Sequence, residues 1–377
     1  MRYFLSADCA LKQIEKPHVY HIKKDELYEL DNESFQILKK CADKNGCTLS
    51  DKDFIDYCLE EEILTKDMIS VNRPTLIKSP VPSLRYLELQ ITERCNLRCR
   101  HCFINENKAK ELSAIEVKKI LDEFEEMQGL RVMLTGGEPL LHSRLVEINE
   151  MLPAYSVRKV LFTNGLLLTK KNLKTLNVDE IQISIDGLED AHDSLRGKGA
   201  FKKAINAARL SAENDLEVSV STMVHPKNLK DFDEMEQMFR DIGIKDWTVD
   251  VPCISGRLKE NKEFQISPEM AGEYLRYGYG KGLHLGKSGF GCGLHLMSVM
   301  ADGNVAKCSF YADRAIGTDK EGLRKCWKRI KPIKLAELKC DCEYCEYIEQ
   351  CRGGCRYRAE LSENHLGKDL YRCAFYA

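Results

Sequence analysis

No stretch of the 377-residue chain approaches the ~18 consecutive apolar residues of a membrane span, so no transmembrane segment is expected. Met1 to Leu30 lacks an apolar core followed by a small-residue cleavage site. No signal peptide is read there, and a soluble, cytoplasmic protein is expected. Excess charge is missing too: 57 Lys and Arg against 59 Asp and Glu leave a net charge of −2. That balance builds no basic field, so neither a nucleic-acid nor a membrane partner is expected. Whole-domain repeats and low-complexity tracts are absent. The 43% hydrophobic and 31% charged residues exclude a disordered or collagen-like chain.

Cysteine is what the chain has in excess. Of 17, four precede residue 60, three lie between 95 and 102, one is at 253 and nine fall between 292 and 373. In a reducing cytosol, such short spacings favour metal ligands over disulfides.

Three segments are expected, 1–80, 85–285 and 286–377. In the first, Val19 to Leu30 reads as extended chain broken near Lys24 and Asp25. Asn32-Glu33-Ser34 caps a helix running to Cys41, and a second helix covers Asp51 to Glu61. Ser79-Pro80-Val81-Pro82 is a linker. In the second segment, β-rich runs near Tyr86–Ile91, Arg131–Leu134, Lys159–Phe162, Glu180–Ile185, Glu217–Met223 and Trp247–Val251 alternate with helical runs. Those alternations predict a parallel sheet, an incomplete barrel whose active site sits at the C-terminal strand ends. The seven glycines of 278–293 read as a hinge or linker rather than a phosphate loop.

Cys95-Asn-Leu-Arg-Cys99-Arg-His-Cys102 follows the first of these strands. The spacing lets one loop turn three thiolates toward one point, and soft thiolates suit iron–sulfur clusters and zinc. A structural zinc would be closed by a fourth ligand, such as His101. A cubane on three thiolates keeps one iron open. Thr135-Gly136-Gly137-Glu138-Pro139 ends the second strand. Its glycines allow close backbone approach, and their carbonyls offer acceptors for an ammonium group. It also reads as a plain β–α turn with a helix starting at Pro139.

Cys-x3-Cys-x2-Cys after the first strand and Gly-Gly-Glu-Pro after the second resemble the radical S-adenosylmethionine superfamily. The resemblance covers about residues 85 to 285. It implies an α/β fold, a partial (β/α)6 TIM-like barrel. It also implies a 4Fe–4S cluster on Cys95, Cys99 and Cys102, with S-adenosylmethionine chelating the fourth iron. Reductive cleavage would then release a 5′-deoxyadenosyl radical that takes hydrogen from the substrate. Thr163-Asn164-Gly165 ends the third strand, Ser184-Ile-Asp186-Gly187 ends the fourth, and Arg196-Gly197 follows. The implied cofactor contacts are Gly136, Gly137, Glu138, Asn164, Ser184, Asp186, Arg196 and Phe103. Arg196 suits a carboxylate, Asp186 suits ribose hydroxyls or its own turn, and Phe103 suits the adenine or the core.

Cys292, Gly303, Cys308, Cys342-x2-Cys345-x5-Cys351-x3-Cys355 and Cys373 resemble a SPASM domain, over about 286 to 377. The resemblance implies two auxiliary 4Fe–4S clusters in a loop-rich C-terminal domain. Cys342, Cys345, Cys351 and Cys373 would hold the outer one, and Cys292, Cys308 and Cys355 the inner. The eighth ligand is Cys326, Cys340 or none. Two zinc ribbons are the competing reading. Cys9, Cys41, Cys47, Cys58 and Cys253 read as unligated thiols.

The first eighty residues resemble a small winged-helix-like α+β element that binds leader peptides by strand addition; a plain cap on the barrel is the other reading. The leading expectation is an enzyme modifying a ribosomally made peptide or protein, with a low-potential ferredoxin or flavodoxin as electron donor. The products would be a thioether, a carbon–carbon crosslink or an oxidised residue. Tetrapyrroles or small cofactor precursors are the alternative substrates, and a non-catalytic iron–sulfur or zinc scaffold is a third reading. Sulfatase-type maturases carry an acidic residue just after the second SPASM cysteine. Ser309 stands there, with Asp302 and Asp313 nearby, which counts against that oxidation.

Overall fold

A computed structural model describes residues 1–377 except 70, 72, 105–108, 215, 285–288, 340–343 and 377. The chain opens with β1 (Phe4–Leu5), β2 (Cys9–Gln13), β3 (Pro17–His21), β4 (Glu26–Glu29), α1 (Asn32–Cys41), α2 (Lys52–Glu60) and β5 (Leu64–Thr65). Strands β2, β3 and β4 form an antiparallel sheet with β4 at one edge, and β1 pairs with β5. The cap of α1 is Asp31 rather than Asn32 to Ser34. Its extended backbone lets the carboxylate accept from Ser34 N at 2.7 Å, which puts those three residues in the first turn.

The second segment carries β6 (Tyr86–Thr92), α3 (Ala114–Glu126), β7 (Arg131–Gly136), α4 (Leu145–Met151), β8 (Arg158–Thr163), α5 (Lys170–Leu173) and β9 (Glu180–Ser184). It continues through α6 (Glu189–Arg196), α7 (Ala200–Ala212), β10 (Glu217–Met223), α8 (Phe232–Ile242), β11 (Asp246–Asp250) and α9 (Pro268–Gly272). The β6-to-β11 strands are all parallel and neighbour one another in chain order. The fold is therefore mixed α/β around a parallel sheet. Helix α6, which ends in Arg196, was not anticipated, because Glu189–Arg196 carries only three buried residues.

The sheet does not stop at residue 285. Strand β12 (Leu296–Val299) pairs in parallel with β6, and β13 (Asn304–Ala306) and β14 (Gly317–Thr318) continue it antiparallel. Gly303 closes the β12–β13 hairpin at φ +82°, a conformation that favours glycine. The glycine-rich stretch is docked where it is described: Tyr279 exchanges two backbone hydrogen bonds with Trp247, at 2.8 and 3.0 Å. Short helices α10 (Leu323–Trp327), α11 (Ile348–Cys351), α12 (Arg356–Ser362) and α13 (Leu370–Tyr376) complete the chain.

Strand β6 shows how the sheet positions a site. Leu87, Leu89 and Ile91 are fully buried and pack with Val117, Ile120, Leu121 and Phe124 of α3. Burying each such side chain is worth about 1.5–3 kcal/mol. The alternate residues Glu88 and Gln90 point to the other face, where they line a cavity.

The N-terminal unit is fastened to the opposite end of the sheet. Arg158, at the start of β8, donates to Ile22 O at 3.0 Å and Lys23 O at 2.6 Å. It also pairs with Glu180 and Glu217, each at 2.9 Å, the first residues of β9 and β10. Arg131, the first residue of β7, pairs with Asp25, and Arg85 pairs with Glu15 at 2.8 Å.

Candidate functional site

At the C-terminal strand ends lies a cavity of about 390 Å³. Cys95, Cys99 and Cys102 line it together with Gly136, Gly137, Asn164, Ser184, Asp186, Arg196 and Phe103. Every implied cofactor contact except Glu138 therefore faces one space.

The cysteine loop is held from several sides. Leu97 N donates to Cys95 Sγ at 3.4 Å, and Arg100 N to Leu195 O at 2.9 Å. Arg257 donates its N–H to Cys102 O at 3.0 Å and its guanidinium to Cys99 O at 3.2 Å. Gly256, at φ +51°, lets the Arg257 loop lie against the cysteine loop: a Cβ there would stand 2.4 Å from Cys102 O. Neither Gly256 nor Arg257 was anticipated, since nothing in the sequence ties residue 257 to residue 102.

Gly136 and Gly137 are small for a reason beyond ligand approach. A Cβ on Gly136 would lie 2.5 Å from Thr92 O, and one on Gly137 would lie 2.4 Å from Arg94 O. Gly137 N donates to Thr92 O at 2.8 Å and Glu138 N to Arg94 O at 2.7 Å. The pair thus clamps the second strand end to the root of the cysteine loop. Glu138 is placed differently from the other expected contacts. Its carboxylate is fully buried, accepts from Thr163 Oγ1 at 2.8 Å, Asn164 N at 2.9 Å and Leu140 N at 3.2 Å, and does not line the cavity. It braces the ends of β7 and β8. Asn164 in turn donates to Asn96 Oδ1 at 2.8 Å, inside the cysteine loop.

Asp186 and Arg196 form a buried ion pair. Asp186 also accepts from Met223 N at 2.7 Å, and the guanidinium beside it holds its carboxyl well below the usual carboxylate range. Arg196 reaches Cys99 Sγ at 3.9 Å and His101 Nε2 at 3.5 Å. Burial, together with Arg196, pushes His101 down to about 3, so it is neutral at physiological pH. Burial pushes the Cys95 thiol up to about 11. Phe103 lies against Phe310 with centroids 5.8 Å apart. Among the described residues, no three His, Cys, Asp or Glu side chains close on a single ion position.

The cavity's far wall comes from the C-terminal segment. Ser309 and Phe310 line it. An acid that the sequence did not single out, Glu88, lies beside Ser309: it accepts from Ser309 N at 2.8 Å and from the Ser298 hydroxyl. Asp302 instead pairs with Lys110 at 3.3 Å.

Cys292, Cys308 and Cys355 lie close enough to perturb one another electrostatically. Cys351 shares a second cavity, of about 330 Å³, with Cys292 and Cys355. Tyr347 stacks on Tyr376 with centroids 5.0 Å apart, which sets the turn of Cys345 and Cys351 beside the helix of Cys373. Cys342, like Cys340, lies outside the described residues. Cys326, a candidate eighth ligand, is buried under β14, its thiol directed at Thr318 O at 3.5 Å. Cys9, Cys41 and Cys58 are buried in the N-terminal core.

A parallel sheet that presents three thiols and a polar cavity at its C-terminal edge defines an enzyme that holds its cofactor at the strand ends. Residues 89–239 match the Radical SAM superfamily: the chain carries a radical S-adenosylmethionine domain and is an enzyme. An AdoMet-dependent heme synthase of Oleidesulfovibrio alaskensis is 24% identical over 349 residues, 80% of this chain and 90% of that protein. A PqqA peptide cyclase of Bradyrhizobium diazoefficiens is 27% identical over 309 residues, 72% of this chain and 81% of that one. Streptococcus suis SuiB bound to precursor peptide SuiA superposes with a TM-score of 0.70 at 16% identity, covering 99% of this chain and 100% of that chain. At that identity the likeness concerns the fold. No helix among the described residues is long and apolar enough to cross a membrane.

Proposed function

We propose that this enzyme modifies a ribosomally made peptide or protein by hydrogen abstraction, forming a thioether, a carbon–carbon crosslink or an oxidised residue. In this reading residues 85–285 curl into the open (β/α)6 barrel, and Cys95, Cys99 and Cys102 hold a 4Fe–4S cluster. Reduced cluster and S-adenosylmethionine together supply a 5′-deoxyadenosyl radical. The chain's own residues do the rest. The Arg196 guanidinium lies beside Cys99 and stabilises negative charge there, while Asp186 fixes its direction. Gly136 and Gly137 keep their edge of the cavity free of side chains. Ser184 and Asn164 offer it hydrogen-bonding groups, and Phe103 offers a ring face. Cys342, Cys345, Cys351 and Cys373 hold an outer auxiliary cluster, and Cys292, Cys308 and Cys355 hold an inner one beside the cavity. A low-potential ferredoxin or flavodoxin supplies the electrons.

The observation that carries the peptide reading is the N-terminal sheet. Its edge strand β4 is followed by two helices, the layout of an element that takes a peptide as an added strand. Glu26 of β4 lines a lower cavity that shares Glu88, Phe162, Gln182 and Asp250 with the upper one. A peptide held at β4 would therefore lie beside a cavity that shares four lining residues with the one that holds the three thiols. A tetrapyrrole substrate is the second reading, favoured by the heme synthase that matches most of this chain.

Anaerobic reconstitution, reduction and measurement of 5′-deoxyadenosine test the proposal. A short peptide encoded beside this gene is expected to stimulate product formation and to return altered in mass. Stimulation by an iron tetrapyrrole, with no change in any such peptide, would move the enzyme to the second reading.

A further inference from the structure

The inner cysteine set has a fourth member that its motif does not contain. Cys253 stands just beyond the end of β11, 39 positions before Cys292, and was expected to be an unligated thiol. Its side chain is within hydrogen-bonding reach of Cys355. The placement is imposed by the backbone on both sides. Arg358, one turn after Cys355 on α12, donates to Asp250 Oδ1 at 3.0 Å and to Val251 O at 3.3 Å. Asp369 holds Arg358 from behind at 3.0 Å, and accepts from Cys355 N at 2.7 Å. Tyr357 reaches the Ser255 side chain. The loop of 250–255 is thus tied to the start of α12 before and after Cys253.

A second observation points to an anionic occupant. Arg356 is fully buried, and its Nε and Nη2 have no hydrogen-bond partner. It lies close enough to Cys292 to act on that thiol, and its backbone N–H donates to it. A buried guanidinium with two unpartnered nitrogens is costly unless a negative group sits nearby. Cys308 receives an N–H from residue 310, and Cys355 one from residue 358. Hydrogen bonds onto the ligating sulfurs are one of the means by which proteins tune iron–sulfur clusters.

We propose that Cys253 is the fourth protein ligand of the inner auxiliary cluster, with Cys292, Cys308 and Cys355. Each thiol releases its proton to solvent on binding iron. The cluster is then closed, and its neighbouring substrate cavity, which Cys253 also lines, meets a saturated cluster rather than an open iron. Substrate binds beside this cluster without coordinating to it. Cys326 and Cys340 are not needed for the count. The inference rests on the auxiliary-cluster reading given above.

The test uses the full chain in a Cys95→Ala/Cys99→Ala/Cys102→Ala background, so that only auxiliary clusters remain. After anaerobic reconstitution, iron is counted and the reduced protein is examined by EPR with and without imidazole. With Cys253 intact, about eight iron atoms and spectra indifferent to imidazole are expected. Cys253→Ser and Cys253→Ala are expected to change one of two cluster signals and to make that signal move with imidazole. Cys326→Ala, the control, is expected to change neither. An imidazole-sensitive signal with Cys253 intact overturns the proposal, and so do Cys253 variants with unaltered spectra. A Cys253–Cys355 disulfide persisting in the loaded protein, seen by mass spectrometry, overturns it as well. Absence of iron from the background protein would overturn the auxiliary-cluster reading itself, and is distinguishable because no signal exists to change.

Discussion

The two ends of the parallel sheet are both rich in charged and polar side chains, yet they are built for different tasks. At the N-terminal end the charges satisfy one another: Arg158 meets Glu180, Glu217 and two carbonyls, and Arg131 meets Asp25. At the C-terminal end Gln182, Ser184 and Ser221 face a cavity, and the ion pair there, Asp186 with Arg196, leans on a cysteine sulfur. Polarity alone does not mark a site. What marks it is polarity that a protein partner has not consumed, next to groups with coordination chemistry of their own.

The largest expected effect separates the ends cleanly. Cys95→Ala/Cys99→Ala/Cys102→Ala is expected to abolish 5′-deoxyadenosine formation and remove about four iron atoms, while thermal unfolding of the apo protein shifts little. Product surviving at more than a few per cent would place the radical chemistry elsewhere. Arg158→Met should do the reverse. It leaves Glu180, 6% exposed, without its cation and frees the Ile22 and Lys23 carbonyls. A loss of about 3–5 kcal/mol in denaturant unfolding is expected, with S-adenosylmethionine affinity unchanged in the folded fraction. Wild-type stability in that variant would break the contrast.

Arg196→Lys sharpens the comparison from within the site. Lysine keeps the charge but not the fork that spans Asp186, Cys99 and His101. Roughly ten- to hundredfold loss in kcat/KM is expected, read with iron content held at the wild-type level. An unchanged kcat/KM would reduce Arg196 to a partner of its own turn.

Much of this was legible in the sequence. The six strands of the middle segment appear within a residue or two of their expected bounds, because β-branched runs such as Val218–Thr222 alternate with long helices. The three-thiol loop and the Gly-Gly turn were legible because each is a short local pattern, the thiols at 95, 99 and 102 and the glycines adjacent at 136 and 137. What stayed hidden is non-local. Arg257 on Cys102, Glu88 beside Ser309 and Cys253 beside Cys355 join residues 155, 221 and 102 positions apart. The surroundings of the Glu138 side chain are non-local too. Its motif is that of a cofactor turn, but its carboxylate is spent on Thr163 and Asn164 of the neighbouring strand end.

The smallest effect concerns the other end of the sheet, and it is one of pH. Lys12 is buried, and its ammonium donates to Gly129 O at 2.7 Å and Ser156 O at 2.9 Å. Burial lowers it from its ordinary 10.5 to about 8. Between those values the unfolded chain binds the proton that the folded chain has released. The stability contributed at this position therefore rises with pH from about 8 to 10.5 and is flat below that window. Lys12→Met abolishes the titration. The difference in unfolding free energy between wild type and Lys12→Met should then climb in favour of wild type across that window. A difference independent of pH would mean that Lys12 keeps its ordinary affinity for the proton, and that the N-terminal unit is less firmly seated on the sheet than its carbonyl contacts indicate.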